Sequence, residues 1–404
     1  MTHYNVLIVG GGAAGFFTAI NIAEFNPELK IAILERGKTV LSKVKISGGG
    51  RCNVTHAEFM PKELSQNYPR GQKELLGPFH SFMTGDTIGW FADRNVELKT
   101  EEDGRMFPVS NTSETIIDCF LSETKRLNID ILTGYSVNAI DKVDHTWSVK
   151  TTKTNFTCEK LVIATGSNPK MWNILQHLGH HLINAVPSLF TFNIKDPRIE
   201  GLAGIANFAE VKIPNSGLES EDPLLITHWG LSGPGILKLS AWGARELNKY
   251  DYKFPIVVNW VPGFNSDSIM EDLMKIKNNS GKQKVSKYPQ FELPKRLWIK
   301  ICKASEIVEE EVWANVSKKQ LEALAIQLTN AEFQVNGKST FKEEFVTAGG
   351  VDLKEIDFKT FRSKKYQNLY FAGEVLNIDA ITGGFNFQNA WTGGYIAAKA
   401  IAES

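Results

Sequence analysis

The chain has no CxxC pair: its four cysteines, Cys52, Cys119, Cys158 and Cys302, all lie more than 30 residues apart. That spacing excludes a vicinal redox dithiol and a zinc knuckle. It has no excess of either charge, since Lys+Arg and Asp+Glu are 45 each and 45 − 45 = 0. A neutral chain lacks the global field that gathers nucleic acid or anionic membrane, so a small-molecule substrate is expected, with no nucleic-acid and no membrane partner. No apolar run of spanning length is unbroken: the uncharged stretches Tyr4–Ala23 and Ala380–Ala398 are interrupted by glycines and by Asn or Gln. No basic segment precedes the first apolar run, so a secretory signal is not expected and a cytoplasmic protein is. There is no internal repeat and no metal-ligand spacing, and the oligomeric state is not legible. What remains is an ordinary globular composition, 42% hydrophobic and 22% charged over 404 residues, with length for two or three domains at about 150 residues each.

The chain opens with the β-branched apolar run Asn5–Val9, the pattern of a buried parallel strand. A glycine turn, Gly10–Gly15, leads into a helical stretch to Phe25, and Lys30–Leu34 is the next apolar strand, which closes a βαβ unit. The strand Leu161–Ile163 ends in the turn Ala164-Thr165-Gly166, and near the C-terminus Asn368–Phe371 runs into Gly373-Glu374 ahead of a predicted helix, Phe385–Ile401. Between these lie a Gly- and Pro-punctuated β-rich region and a Lys/Glu-rich helical one, in which Ser317 and Gln320 form a capping box. The pattern predicts an α/β protein: one doubly wound domain built from residues 1–189 and 351–404, with an insertion made of a β-rich part (190–264), a helical part (265–335) and a β-rich return (336–350).

Gly10, Gly12 and Gly15 fit GxGxxG, in which the glycines allow a tight turn, close approach to a pyrophosphate, and helix–strand packing. The helix N-terminus beginning near Ala13 and Ala14 then offers unpaired N–H groups to phosphate. Glu35 lies 35 − 15 = 20 residues on, where a carboxylate accepts hydrogen bonds from an adenosine ribose and repels a 2′-phosphate. Dinucleotide binding is expected, and NADP is not. The strand ends at Ala164–Gly166 and Gly373-Glu374 fall where an extended dinucleotide passes, which favours FAD over NAD. No second dinucleotide turn follows a strand within 190–345, so NAD(P)H, if it is the reductant, docks transiently.

The segments Gly10–Gly15, Lys45–Asn53 (KISGGGRCN), Thr227–Pro234 (THWGLSGP), Thr347–Val351, Phe371–Val375 and Thr382–Asn386 together resemble a family of bacterial NAD(P)/FAD-dependent oxidoreductases. That family includes the bile-acid-pathway flavoprotein reductase and the aminoacetone oxidases. The resemblance covers nearly the whole chain, and SGGGRCN is far more specific than the glycine turn. It implies a glutathione-reductase-like FAD domain with an inserted β-barrel-like domain and a small helical domain, and noncovalent FAD. It does not supply the substrate, because fold and cofactor transfer better than reaction.

With that resemblance, Ser47, Gly48, Gly49, Gly50, Arg51, Cys52 and Asn53 are expected at the pyrophosphate or flavin, with Arg51 and Asn53 as polar contacts. Cys52 can touch the ring, act as a nucleophile or fill apolar space, and packing is preferred. Glu374 is expected at the ribityl hydroxyls. Gly383, Gly384, Phe385 and Asn386 open the last helix, whose N-terminus stabilises an anionic reduced ring if it faces the pyrimidine edge. Arg36 and Val137 complete the expected cofactor contacts, and no catalytic residue is assigned. His228 is read as structural ahead of a proton donor, and Lys282–Lys287 as a solvated basic loop. The expected activity is hydride transfer between flavin N5 and a small organic substrate or NAD(P)H. The rival readings are an amine oxidase using oxygen and a low-turnover, flavin-bearing RNA-associated protein.

Overall fold

The apolar run at the start of the chain forms β1 (Thr2–Val9), and the glycine turn delivers it into helix α1 (Ala13–Phe25) and then β2 (Ile31–Glu35). The computed structural model describes residues 2–339 and 346–404. Two compact units divide it, Met1–Val186 with Val346–Ser404, and Pro187–Phe345.

In the first unit the strands Asp130–Thr133, β2, β1, Asn155–Ile163 and Leu369–Phe371 lie side by side, all parallel. Val9 is in register with Leu34 on one side and Ile163 on the other. Chain order therefore reverses direction between β1 and Asn155–Ile163, and in open α/β sheets the crevice beyond the carboxyl ends at such a switch is where ligands bind. The meander Val137–Val143 and Thr146–Thr151 is added antiparallel to Asn155–Ile163.

Helix α1 is apolar almost all round because both of its sides are covered. It packs on the sheet and against the closing helix Phe385–Ala402, where a side chain at Gly394 would meet Thr18 Oγ1 at 2.9 Å. Phe17 fills the seam, with ring centroids 4.5 Å from Trp90 and 5.1 Å from Trp391. The Trp391 indole N–H donates to Val54 O (2.9 Å), which ties this helix to the loop after Asn53.

The second unit is a seven-stranded sheet, mostly antiparallel hairpins, running from Ala331–Asn336 through Lys253–Asn259, Ala206–Ile213 and Leu218–Ile226 to Lys338–Ser339. Helices Ser266–Asn279, Lys295–Ala304 and Lys318–Thr329 surround the buried Trp298 and Trp313. The Ser317/Gln320 capping box forms as expected. Three segments differ from the sequence reading. Pro234–Trp242 is a helix inside the expected β-rich part, started by Gly233 and by Pro234 in its first turn. Ala331–Asn336, placed in the helical part, is a strand whose residues alternate buried and exposed, the period of an edge with one wet face. Val346–Val351, placed in the β-rich return, pairs with Leu182–Ser188, and its backbone at Gly350 lies so close to Val375 O that a Cβ would stand 2.5 Å from it. Residues 340–345 of that return lie outside the described residues.

Trp391 is fully buried at the helix seam. Trp391→Ala is expected to cost about 3–5 kcal/mol, the range for emptying a large aromatic site. Urea unfolding followed by circular dichroism measures it, and a loss under about 1 kcal/mol would show that the seam is not a packed core.

Candidate functional site

The turn after β1 is shaped by close backbone approach. Gly10 (φ +120°) passes Ala164 so tightly that a Cβ would stand 2.3 Å from its carbonyl oxygen, and one on Gly15 would stand 2.0 Å from Gly10 O. Gly12, the cap residue of α1, has the opposite surroundings: a Cβ there meets nothing within 4 Å, and no side chain caps the helix. The first-turn N–H groups near Ala13 and Ala14 therefore open onto free space, which suits an anion.

Glu35 ends β2 with both carboxylate oxygens held, Oε2 accepting from Gly11 N (2.9 Å) and Oε1 from Gly37 N (2.7 Å). A carboxylate has about four acceptor sites, so this anchors its orientation and leaves capacity for hydroxyl donors. A cleft of about 60 Å³ lies beside it, lined by Gly10, Glu35, Arg36, Val137 and Thr165. Tyr135, Asn168, Lys170 and Met171 line it too and were missed. Asn168 carried a signal, since Asn-Pro is a strong helix start; its side chain caps Pro169–His177 by accepting from Lys170 N (3.0 Å).

Gly373 brings the C-terminal strand to this turn, a Cβ there lying 3.1 Å from Ala14 Cβ. Next to it Glu374 accepts from Lys43 Nζ (2.7 Å), Thr347 N (3.2 Å) and Ser167 Oγ (3.4 Å), and Gly166 stands alongside. Residues 43, 166, 347 and 374 are thus gathered from four parts of the chain. Lys43 had no sequence signal, because only the fold puts it beside residue 374.

Ser47–Asn53 is the end of α2 (Ser42–Gly50), and it is not regular helix: Gly48, Gly49 and Gly50 have φ of +57°, +68° and +84°. This left-handed run turns the backbone so that Gly49 and Gly50 face open space. Ser47 O accepts from Cys52 N (3.0 Å), and the Ser47 hydroxyl donates to Val44 O (2.8 Å). The Arg51 guanidinium, expected at the cofactor, is already engaged, ion-paired with Glu101 (2.5 Å) and stacked 3.9 Å over the Phe107 ring. Cys52 is fully buried and burial pushes its thiol up to about 12, which fits packing and not nucleophilic use.

Asn53 is the polar residue left over. Its Oδ1 is buried with no hydrogen-bond partner among the described residues, and it lies 2.9 Å from where a Cβ on Gly384 would be. Gly384 (φ +97°) caps the closing helix with no side-chain cap and presses on Thr55, where a Cβ would meet the carbonyl oxygen at 2.5 Å. The segment is clamped by Thr55 Oγ1, which donates to Gln388 Oε1 (2.6 Å), and by Tyr68 OH, which donates to Phe385 O (2.6 Å). Two expected contacts serve this clamp: Asn386 Oδ1 accepts from Ala380 N (3.0 Å), and the buried Phe385 ring stacks on His56 at 4.5 Å. His56, whose Nδ1 lies 3.0 Å from Gly383 O, was also missed. His228 is exposed on the Thr227–Gly230 turn of the second unit.

A Rossmann turn at the carboxyl end of β1, with Asn53 Oδ1 unpartnered among the described residues beside an uncapped helix end, is the arrangement of an FAD-binding oxidoreductase, and the family to which the chain is matched agrees. The chain belongs to the HI0933-like protein Rossmann-domain family, which matches residues 4–400. It is 30% identical over 98% of its length to the ribosomal RNA dihydrouridine synthase of Haemophilus influenzae, covering 98% of that protein. It is 25% identical over 98% of its length to the 3-dehydro-bile acid delta(4,6)-reductase of Clostridium scindens, again covering 98%. In fold it resembles the 3-ketosteroid-delta4-(5alpha)-dehydrogenase of Rhodococcus jostii RHA1, with a TM-score of 0.52, 11% identity, and coverage of 100% of this chain and 97% of that one. Among the described residues no helix is long and apolar enough to cross a membrane.

Cys52, Cys119, Cys158 and Cys302 are all buried, and burial raises each thiol to about 12. At pH 8 roughly one in ten thousand of each is thiolate. Ellman's reagent is expected to leave all four unmodified in the folded protein and to titrate them on unfolding in urea; rapid labelling of Cys52 in the native state would contradict the packing role.

Proposed function

We propose that this FAD-dependent oxidoreductase reduces a carbon–carbon double bond conjugated to a carbonyl group. The observation that carries the flavin part of the reading is the pairing of Asn53 Oδ1, buried and unpartnered among the described residues, with the uncapped N-terminus of Phe385–Ala402 at Gly384. An acceptor and a positive helix end side by side suit the pyrimidine edge of a flavin, which has an N–H donor between two carbonyl oxygens.

The remaining residues fit the rest of the cofactor. Glu35 would hold the adenosine ribose, Gly12 with the first turn of α1 the pyrophosphate, and Glu374 with Gly166 the ribityl chain. Gly49 and Gly50 would let the backbone come close to the ring. When bound, FAD supplies a hydride for the substrate carbon β to the carbonyl, while the α carbon takes a proton from solvent, and NAD(P)H docking transiently is the source of the electrons. The chain's own part is to position the ring, exclude water from its pyrimidine edge and bias its charge through the helix end.

The support for an activated double bond is the chemistry common to the two relatives' names. Forming dihydrouridine saturates the uracil C5–C6 bond, conjugated to a ring carbonyl, and a delta(4,6)-reductase acting on a 3-oxo bile acid saturates bonds conjugated to its ketone. We favour uracil in ribosomal RNA as the substrate, on the higher identity of that relative. A small-molecule enone of the bile-acid kind is the second reading, favoured by the other full-length relative.

Purified protein reduced anaerobically with NADH or NADPH is expected to be reoxidised by one of these acceptors, with dihydrouridine in unmodified ribosomal RNA or a saturated bile acid read by mass spectrometry. Reduction by amines with peroxide release, and no turnover of either double bond, would replace this reading with an oxidase. Asn53→Ala is expected to weaken FAD binding about tenfold, the order for one lost buried hydrogen bond. Fluorescence of released FAD measures it, and unchanged affinity would remove Asn53 from the site.

A further inference from the structure

We infer that the outward face of the helix Lys295–Ala304, with the loop Lys282–Tyr288 before it, is a binding surface for the phosphate backbone of RNA. This rests on the ribosomal-RNA reading above and adds to it the part of the chain that holds the polymer.

The charge distribution is the first observation. From Ser280 to Ala304 the chain carries seven cations (Lys282, Lys284, Lys287, Lys295, Arg296, Lys300, Lys303) and one carboxylate, Glu292, so 7 − 1 = +6 in a protein whose total is 0. Helical geometry concentrates this charge. Leu297, Trp298, Ile301 and Cys302 are buried, and the four cations of the helix share the other side, Lys295, Arg296 and Lys303 exposed and Lys300 half-buried. Ten residues at 1.5 Å each make this face about 15 Å long.

The second observation is that most of these charges have no carboxylate partner. Lys284 pairs with Glu310, but among the described residues no carboxylate lies within 4 Å of the side-chain nitrogens of the other six. Arg296 donates to the neutral Gly201 carbonyl and keeps its charge. The loop is fixed to the helix, since Trp298 Nε1 donates to Val285 O (2.8 Å), and to the following segment, since Ser286 Oγ donates to Glu309 O (2.8 Å). The backbone that carries the cations is thus fixed, while the unpaired lysine side chains are free to reach phosphate oxygens.

The third observation selects the partner. Ile299 is the large apolar residue exposed on the helix face, at 38%. The face therefore lacks the apolar stripe with which an interfacial helix enters a membrane, and the apolar centre of a protein interface. Tyr288 is 46% exposed beside Lys287, a combination of aromatic ring and cation that suits a base stacked next to its phosphate. Glu306, Glu309, Glu310 and Glu311 follow immediately and bound the surface on one side with repulsion.

The test uses the FAD-loaded full-length protein and the variant Lys295→Gln/Arg296→Gln/Lys300→Gln/Lys303→Gln, with a fluorescein-labelled uridine-containing RNA hairpin as probe and anisotropy read across a sodium chloride series. The variant is expected to bind at least about tenfold more weakly at moderate salt, with a log–log salt slope smaller by about 3, as removal of four phosphate contacts requires. Its FAD content, thermal midpoint and rate of flavin reduction by NAD(P)H should match the parent. Equal affinity and slope in parent and variant would overturn the inference, as would a parent that fails to bind the hairpin or prefers phosphatidylglycerol vesicles to it. Dihydrouridine formation separates this from the underlying reading: a parent that binds RNA through these residues yet never makes dihydrouridine keeps the surface and loses the substrate, and a variant that modifies RNA with unchanged KM does the reverse.

Discussion

The first unit depends on backbone meeting backbone where no side chain fits. Gly10 against Ala164, Gly15 against Gly10 and Gly373 against Ala14 bring the carboxyl ends of β1, Asn155–Ile163 and Leu369–Phe371 to one place. A methyl group at Gly10 would stand 2.3 Å from a carbonyl oxygen that is part of the sheet, so it could be relieved only by pulling the first crossover off its neighbour. With these approaches in place, Gly10 and the Glu35 carboxylate line a crevice beyond the strand ends, and Glu374 is drawn to the end of a strand in the same sheet, although residues 10 and 374 are far apart in the chain. The crevice needs no cationic side chain at its centre, because uncapped helix ends supply the donors.

Within the crevice the polar groups divide by whether the protein already uses them. Arg51 is taken by Glu101 and Phe107, and Asn386 by the backbone of Ala380; both hold loops. Glu35 is held by two amides but retains lone pairs, and Asn53 Oδ1 has no partner among the described residues. A buried acceptor left unpaired costs about 1–3 kcal/mol, and a fold keeps such a group where something else satisfies it. This separates ligand-binding from loop-holding residues more sharply than residue type does.

The difference explains what was legible in the sequence. The strand–turn–helix–strand unit, the spacing from Gly15 to Glu35 and the closing helix could be read because each is local, set by a period, a cap or a glycine turn. The motif SGGGRCN stands out in the sequence, but which of its side chains remain free depends on Glu101 and Phe107, about 50 residues on. Lys43, His56 and Tyr135 had no local signature. The insertion was harder, because Lys and Glu suggest helix by composition, while the alternation of Ala331, Phe333 and Val335 against Glu332, Gln334 and Asn336 is a period-two pattern that composition overrode.

Net charge is likewise a property of the whole chain, whereas contact is local. A sum over the whole chain governs long-range steering, but in physiological salt a charge is felt over only about 8–10 Å. The cationic helix face is longer than that, so a polyanion lying along it meets a positive surface, with the carboxylates of Glu306–Glu311 confined to one border. A total of 0 is therefore compatible with a local +6 that binds RNA once contact is made. Such a protein would gain little in encounter rate from its overall field, and its affinity would come from short-range phosphate contacts and fall steeply with salt. Neutrality thus excludes a mode of attraction, not a class of partner.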